Sequence, residues 1–238
     1  MLIGAQTARS LDQIGGIDLR EALRITGGLS NPSKMPGYAW GVPAHACITG
    51  NKLREVPGSV CSKCNVYDRG RFVFPTVKTA YQRRLDGIWD PLWTEAMCLI
   101  LNNSVAIGCP YFRWFDSGDL QSHEMLKNIL SVVIATPTIH HWLQTKEKKL
   151  VREAQRQHYI PNNLTIRVSA PMIDGDTNIG FSHVSRVLGK QHKADWPRLV
   201  GTNHSLSYHC PAPLQGNQCG NCRACWDRSI KVVNFLEK

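Results

Sequence analysis

Two hydrophobic periods alternate along this chain. Residues 111–115 are aromatic and strand-like, and Leu164–Ser169 is rich in β-branched side chains. Residues 138–143 and 205–210 read as further strands, and residues 38–48 as an extended segment that includes Cys47. Helical spacing appears between them. Leu126, Ile129, Leu130 and Val133 form one apolar face behind Ser122, a good N-cap. Asp90-Pro91 opens a helix expected to run to Asn102, and a charged helix is expected from residue 146 to about 156. Strands alternating with helices predict an α/β fold with a parallel sheet. Residues 1–36 read as a polar, glycine-containing lead-in, and residues 37–238 as a single domain without internal repeats.

In such folds ligands bind at the carboxyl ends of the strands. The polar residues collect there. Asp116-Ser117-Gly118-Asp119 follows one predicted strand, Thr145-Lys146 another, and Ser169 ends a third. Cys47 ends the first and Cys210 the last, so one side of the sheet gathers thiols, carboxylates and a lysine.

Seven of the nine cysteines fall into two groups with metal-ligand spacing: Cys47, Cys61 and Cys64, then Cys210, Cys219, Cys222 and Cys225. In the second group three cysteines stand three apart on a glycine-containing stretch. Such spacing wraps a loop around an iron–sulfur cluster, each thiolate taking a different iron, whereas zinc more often uses two separated pairs. The first group is complete only if the loop carrying Gly50, Pro57 and Gly58 folds back on itself; otherwise Cys61 and Cys64 are a lone C-x-x-C. Cys98 and Cys109 read as core thiols, and His209 as a candidate neighbour of the ligand Cys210. His140 and His141 point to opposite faces of a strand and cannot act as a pair.

Charge changes the picture. The 238 residues carry a formal net charge of +10, which favours a polyanionic partner, nucleic acid first. Arg69, Arg71, Lys78, Arg83 and Arg84 are interleaved with Tyr67, Phe72, Phe74 and Tyr81. Cations for phosphates and rings for bases are what single-strand binding uses; the alternative is aromatics packed inward with arginines solvated. The charged stretch from Lys146 to Arg156 reads mostly as a solvated helix face. The first residues lack a secretory apolar region, and no apolar run approaches the ~20 residues of a membrane span. The odd cysteine count points to a reducing cytoplasm. There is no Walker loop, no G-x-G-x-x-G and no hydrolase signature. Asp174 to Asn178 starts like a calcium loop, but Ser185 stands where the bidentate Glu is needed.

Asn31-Pro-Ser-Lys34 to Gly37, Gly41-Val-Pro-Ala44, Cys47, and the run from Pro57-Gly58 through Cys61, Cys64 and Gly70 resemble the phage gene product 88 family. So do Phe115-Asp-Ser-Gly-Asp119, Thr145-Lys146 and the segment from Cys210 to Cys225-Trp226. The Pro-Gly-x-x-Cys-x-x-Cys run is also similar to phage proteins that look like radical S-adenosylmethionine enzymes. The resemblance implies a partial (β/α) barrel with a cysteine-rich C-terminal segment and a [4Fe-4S] cluster at the strand ends. It makes Cys47, Cys61 and Cys64 the cluster ligands and puts Ser117, Gly118 and Asp119 where S-adenosylmethionine is met. The thirteen-residue gap after Cys47 departs from the usual C-x3-C-x2-C.

Two functions are expected from these readings. One is a phage iron–sulfur protein of the host cytoplasm that binds nucleic acid, single-stranded above all, through its basic and aromatic face, with a structural or redox cluster. The other is a radical S-adenosylmethionine-type enzyme on a nucleic-acid or nucleotide substrate, with Asp119 and Lys146 placing the reactants. A structural zinc protein of virion assembly is the third alternative.

Overall fold

The computed structural model describes residues 16–238 except 68–69, 107, 158–159 and 202–205. Seven strands form one sheet, and every pairing in it is parallel. They are β1 (Ala39–Trp40), β2 (Tyr111–Trp114), β3 (His140–Thr145), β4 (Leu164–Ser169), β5 (Val184–Leu188), β6 (Tyr208–His209) and β7 (Val232–Leu236). Their order is β1-β2-β3-β4-β5-β7-β6, so β7 is inserted between two strands that precede it in the chain. The helices are α1 (Leu19–Thr26), α2 (Ile48–Arg54), α3 (Pro75–Gly87), α4 (Trp93–Ala106), α5 (His123–Ala135), α6 (Lys148–Gln157) and α7 (Trp196–Gly201). The α/β class and the parallel sheet are as the alternation of periods predicts. Among the described residues no helix is long and apolar enough to cross a membrane.

Local chemistry sets most boundaries. The Ser122 side chain accepts from the Met125 amide and starts α5, whose Leu126, Ile129, Leu130 and Val133 are all buried. Asp90 accepts from the Leu92 amide, so the helix it announces begins three residues later, at Trp93. Residues 38–48 are not one extended segment: only Ala39–Trp40 pair, and Ile48 already opens α2. The lead-in is not merely polar. Asp18 caps α1 and Gly27 ends it in the left-handed region, and the helix buries Ala22 and Ile25.

The two faces of the sheet have different covers. Phe112, Trp114, Leu143, Leu164, Ile166 and Val168 pack under α4, α5 and α6. The alternating positions Tyr111, Arg113, Trp142, Thr165 and Arg167 face the other way. The C-terminal cysteine segment covers them. Trp226 packs edge-on against Tyr111 and Trp142 and donates to the Phe112 carbonyl. On the helical side Trp40 is fully buried, meets Trp93 and Trp114 edge-on, and donates to the Thr26 carbonyl. Replacing it (Trp40→Ala) removes that ring and the bond joining α1 to β1. Urea unfolding is expected to show a loss of about 3–5 kcal/mol; a loss below about 1 kcal/mol would mean the tryptophan cluster is not what seats β1.

Candidate functional site

The first cysteine group lies at the carboxyl end of the sheet. Cys47 follows a short 3₁₀ turn (Ala44–Ala46) and is the N-cap of α2, while Cys61–Lys63 forms another 3₁₀ turn that ends at Cys64. The loop between does fold back, because backbone bonds stitch it to the segment after β4. The Val60 amide donates to the Pro171 carbonyl at 2.9 Å, and the Ile173 amide to the Gly58 carbonyl at 3.0 Å. The loop therefore reaches from the end of β1 to the end of β4. Gly50 sits in the resulting cradle. A methyl group there would stand 2.9 Å from Cys47 Cβ and only 3.5 and 3.7 Å from the sulfurs of Cys47 and Cys61.

Carboxylates frame this group. Glu147 accepts from both the amide and the hydroxyl of Thr49, at 2.8 Å each, and so fixes the first turn of α2 beside Cys47. Asp119 takes the Thr145 hydroxyl and the amides of Leu120 and Lys146. Both of its oxygens are thereby committed to joining the ends of β2 and β3, which makes Asp119 a positioning residue. Gly118, in the left-handed region, passes so close to Val42 that a Cβ would lie 2.4 Å from its side chain. Lys146 donates through Nζ to the Ala170 carbonyl at 3.4 Å, and its charge favours the Cys61 thiolate.

Burial pushes the Cys47 thiol far above its ordinary range, and Asp119, Cys64, Cys61 and Glu147 push it further. Burial also raises Cys61, against the pull of Lys146 and Arg54. The neighbouring thiols thus disfavour ionisation of Cys47 and Cys61, and a cation among them would relieve this.

A cavity of about 410 Å³ is lined by neighbours in sequence of Cys47 and Cys64, though by none of the three cysteines. Its walls include Pro43 and His45 just before Cys47, Val66 just after Cys64, Ser117, and Tyr81 and Lys78 of α3. Of the three residues expected to meet a cofactor, only Ser117 lines this space; Gly118 and Asp119 build the strand ends behind it.

The second group is separate, on the face of the sheet that α4, α5 and α6 leave uncovered, and Trp196 of α7 donates to the Cys210 carbonyl at 3.0 Å. Cys210 follows β6, and the other three sit in the segment that covers β2, β3 and β4. Burial raises Cys210 to about 11, with Cys222 and Cys219 adding to it, and raises Cys219 above its ordinary value against the pull of Lys34, with Cys222 adding. Cys225 is pushed up more strongly, by burial and then by Cys210, against Arg167. The Cys222 sulfur lies 3.5 Å from the Tyr208 hydroxyl. Among the described residues no three His, Cys, Asp or Glu side chains converge on one point as the ligands of a single ion do. Cys98 is buried in the core, as its sequence context predicts, and Cys109 is half-buried.

The basic stretch divides. Arg84 is buried, donates to the Gly28 carbonyl and the Ser30 hydroxyl, and lies over the Tyr81 ring. It is a structural cation, and the sequence-based assignment of Arg84 to a nucleic-acid surface is corrected: α3 turns it inward together with Tyr81. Arg69 lies outside the described residues. Arg71, Lys78 and Arg83 are exposed. Arg83 also borders a cleft of about 500 Å³ shared with Arg20 and Arg24 of α1, two cations that sequence reasoning missed because they fall in the lead-in. His209 packs edge-on against Trp196.

Burial lifts the Asp119 carboxyl from 3.8 to about 6, against its three hydrogen bonds. The native state then holds a proton there more tightly than the unfolded chain. The linked stability is complete below pH ~4 and is lost as pH rises through ~6. Wild type is expected to lose stability relative to Asp119→Asn across that window in parallel denaturant titrations. Parallel curves would show that Asp119 ionises as freely as in the unfolded chain.

Residues 20–228 match the family model described as gene product 88. No curated protein and no solved structure matches the chain. With nearly its whole length inside that match, as its cysteine runs and strand-end motifs anticipate, the chain belongs to the phage gene product 88 family.

Proposed function

We propose that this protein is an iron–sulfur enzyme acting on a nucleic-acid or nucleotide substrate, on a partial-barrel scaffold of the radical S-adenosylmethionine type. The observation that carries this reading is the three-cysteine group at the strand ends, with a cavity lined by its neighbours in sequence. Three protein ligands leave a metal centre an open position, whereas four close it. Thiols that bind different irons of one cluster stand farther apart than thiols sharing one ion. Gly50 leaves space beside the sulfurs of Cys47 and Cys61 that a side chain would fill. When bound, such a cluster supplies one electron at a time and an iron free to take a ligand, S-adenosylmethionine being the candidate.

The chain's own residues do the placing. Glu147 holds α2 and thus Cys47, and Asp119 holds the end of β3 and thus Lys146. Ser117, Lys78 and Gln82 offer polar contacts in the cavity, and Phe72 and Tyr81 offer ring faces for a base. α3 supports the link to nucleic acid, since Lys78 at the cavity and Arg83 at the basic cleft share one helix. A strand held by its phosphates along α1 and α3 has its bases at the cavity mouth. The second reading, a nucleic-acid-binding protein of the host cytoplasm with a structural cluster or zinc, is favoured by the same basic face alone.

Iron, zinc and acid-labile sulfide per chain, on protein purified without oxygen, test the first reading. Iron and sulfide are expected in both groups, so that Cys47→Ser with Cys61→Ser and Cys64→Ser removes about half of each. The EPR spectrum of the reduced wild type is expected to change when S-adenosylmethionine is added. Zinc without sulfide would end the redox reading. Gly50→Ala is expected to keep its helix, alanine being the better helix former, yet lose the first group's iron. Retention of that iron would mean the cradle has no role in holding it.

Fluorescence anisotropy with a single-stranded oligonucleotide tests the basic face. Binding is expected to weaken steeply with salt, and Lys78→Glu with Arg83→Glu to weaken it at least tenfold at low salt. Affinity that is flat with salt would sink the electrostatic argument.

A further inference from the structure

An aromatic ring stands in water at the start of α3. Phe74 is 57% exposed, and among the described residues its ring has no aromatic or cationic neighbour. Phe72 is different: it is a braced wall of the cavity, with the Tyr81 ring 5.6 Å away and the Arg71 guanidinium 5.2 Å over it. Phe74 is also the N-cap of α3, and its side chain makes no capping bond. Ser, Thr, Asp or Asn is preferred at such a position, because its oxygen satisfies an orphan amide. The first turn that follows has no acidic residue, although acids are favoured at that end of a helix. The chain thus places an apolar ring in solvent where the helix asks for a polar side chain. A residue that breaks local rules in this way serves something other than the fold.

Phe74 sits beside the cavity wall. Its carbonyl accepts from the amides of Val77 and Lys78, at 3.1 Å each, and both of those residues line the cavity. Inside, Ser117 is 3% exposed, and among the described residues its hydroxyl has no hydrogen-bond partner. A buried polar group in that state asks for a ligand atom or a water. No carboxylate lines the cavity, whereas Lys78 does. Arg71, partly answered by Asp116 at 3.8 Å, and Arg83 add positive charge along the same stretch. Rings for bases and cations for phosphates together describe a strand whose bases are unstacked. A duplex keeps its bases paired and stacked and offers none of them to a ring.

We propose that Phe74 is an outer stacking platform for single-stranded nucleic acid. One base of the strand enters the cavity, where Phe72 and Ser117 meet it; the neighbouring base stacks on the Phe74 ring, and the phosphate between them faces Lys78. This rests on the reading that the basic face takes nucleic acid, and it narrows the substrate class to a single strand rather than a duplex or a free nucleotide. Stacking needs only a π-face, so the outer step is indifferent to sequence.

The test is fluorescence anisotropy of the full chain with a labelled single-stranded oligonucleotide of mixed sequence, over a salt series, with the duplex of the same sequence beside it. The single strand is expected to bind at least tenfold more tightly than the duplex. Phe74→Ala is expected to weaken single-strand binding about tenfold. Its salt dependence is expected to stay as in wild type, since a ring neutralises no phosphate, whereas Lys78→Met is expected to lower the slope of log affinity against log salt by about one. Phe74→Trp is expected to keep the affinity. Phe74→Ser supplies the missing cap: its thermal midpoint is expected to rise by about 2–4 °C while it binds as weakly as Phe74→Ala, which separates lost binding from lost folding. A midpoint that falls in Phe74→Ser would mark the ring as part of the fold and overturn the assignment. No salt-dependent binding of the oligonucleotide by wild type would end the nucleic-acid reading and the proposal with it. Salt-dependent binding that Phe74→Ala leaves unchanged, or that the duplex matches, would overturn the platform and leave that reading standing.

Discussion

A parallel sheet has to bury both of its faces, and in this fold α4, α5 and α6 bury only one of them. Everything distinctive about the molecule follows from how the other face is covered. A turn-rich segment with few hydrophobic side chains does the covering, and it relies on Trp226, on Thr165 donating to the Trp226 carbonyl, and on the five carbonyls gathered by Arg167. A buried guanidinium organises loop backbone well because it offers donors in a fixed plane. Its charge is answered in part by Asp227, in the same loop whose carbonyls it gathers.

The parts of this arrangement that were legible in the sequence are those whose cause is local. β4 has the bounds its β-branched run predicts, and α5 starts where Ser122 says it should. β5 and β7 were not read from the chain, because the face they share with the polar interior carries Ser185 and Asn234 and breaks the apolar pattern. α3 was read as a basic and aromatic stretch because Arg84 and Tyr81 look like surface chemistry until the helix turns both inward. The grouping of the cysteines followed from spacing. The closure of the first loop did not, since backbone bonds to the segment after β4 hold it and leave no side-chain signature. The buried role of Arg167 was invisible for a related reason: a strand arginine reads as an outward residue unless one knows what lies across the sheet.

The two cysteine groups differ in kind. The first is mixed in charge and lies at the strand ends, where residues neighbouring Cys47 and Cys64 line a cavity; the second lies, half-buried, in the segment that covers β2, β3 and β4. One family of soft ligands thus meets two dielectric and electrostatic settings within a single chain. α3 joins the first setting to the outer surface, since it lines the cavity with Lys78, Tyr81 and Gln82 and carries Arg83 to the basic cleft.

The strand order has a consequence for biosynthesis. β7 follows β5 and β6 in the chain yet lies between them. Emerging from the ribosome, the earlier strands can pair through β4 and β5, but β6 has no neighbour until β7 arrives. Arg167 likewise waits for carbonyls more than fifty residues downstream. The nascent protein therefore passes through a stage in which the edge of the sheet is open, a guanidinium is unsatisfied and the late cysteines have not assembled. Anything that delays that last insertion leaves a half-paired sheet exposed to aggregation and proteolysis.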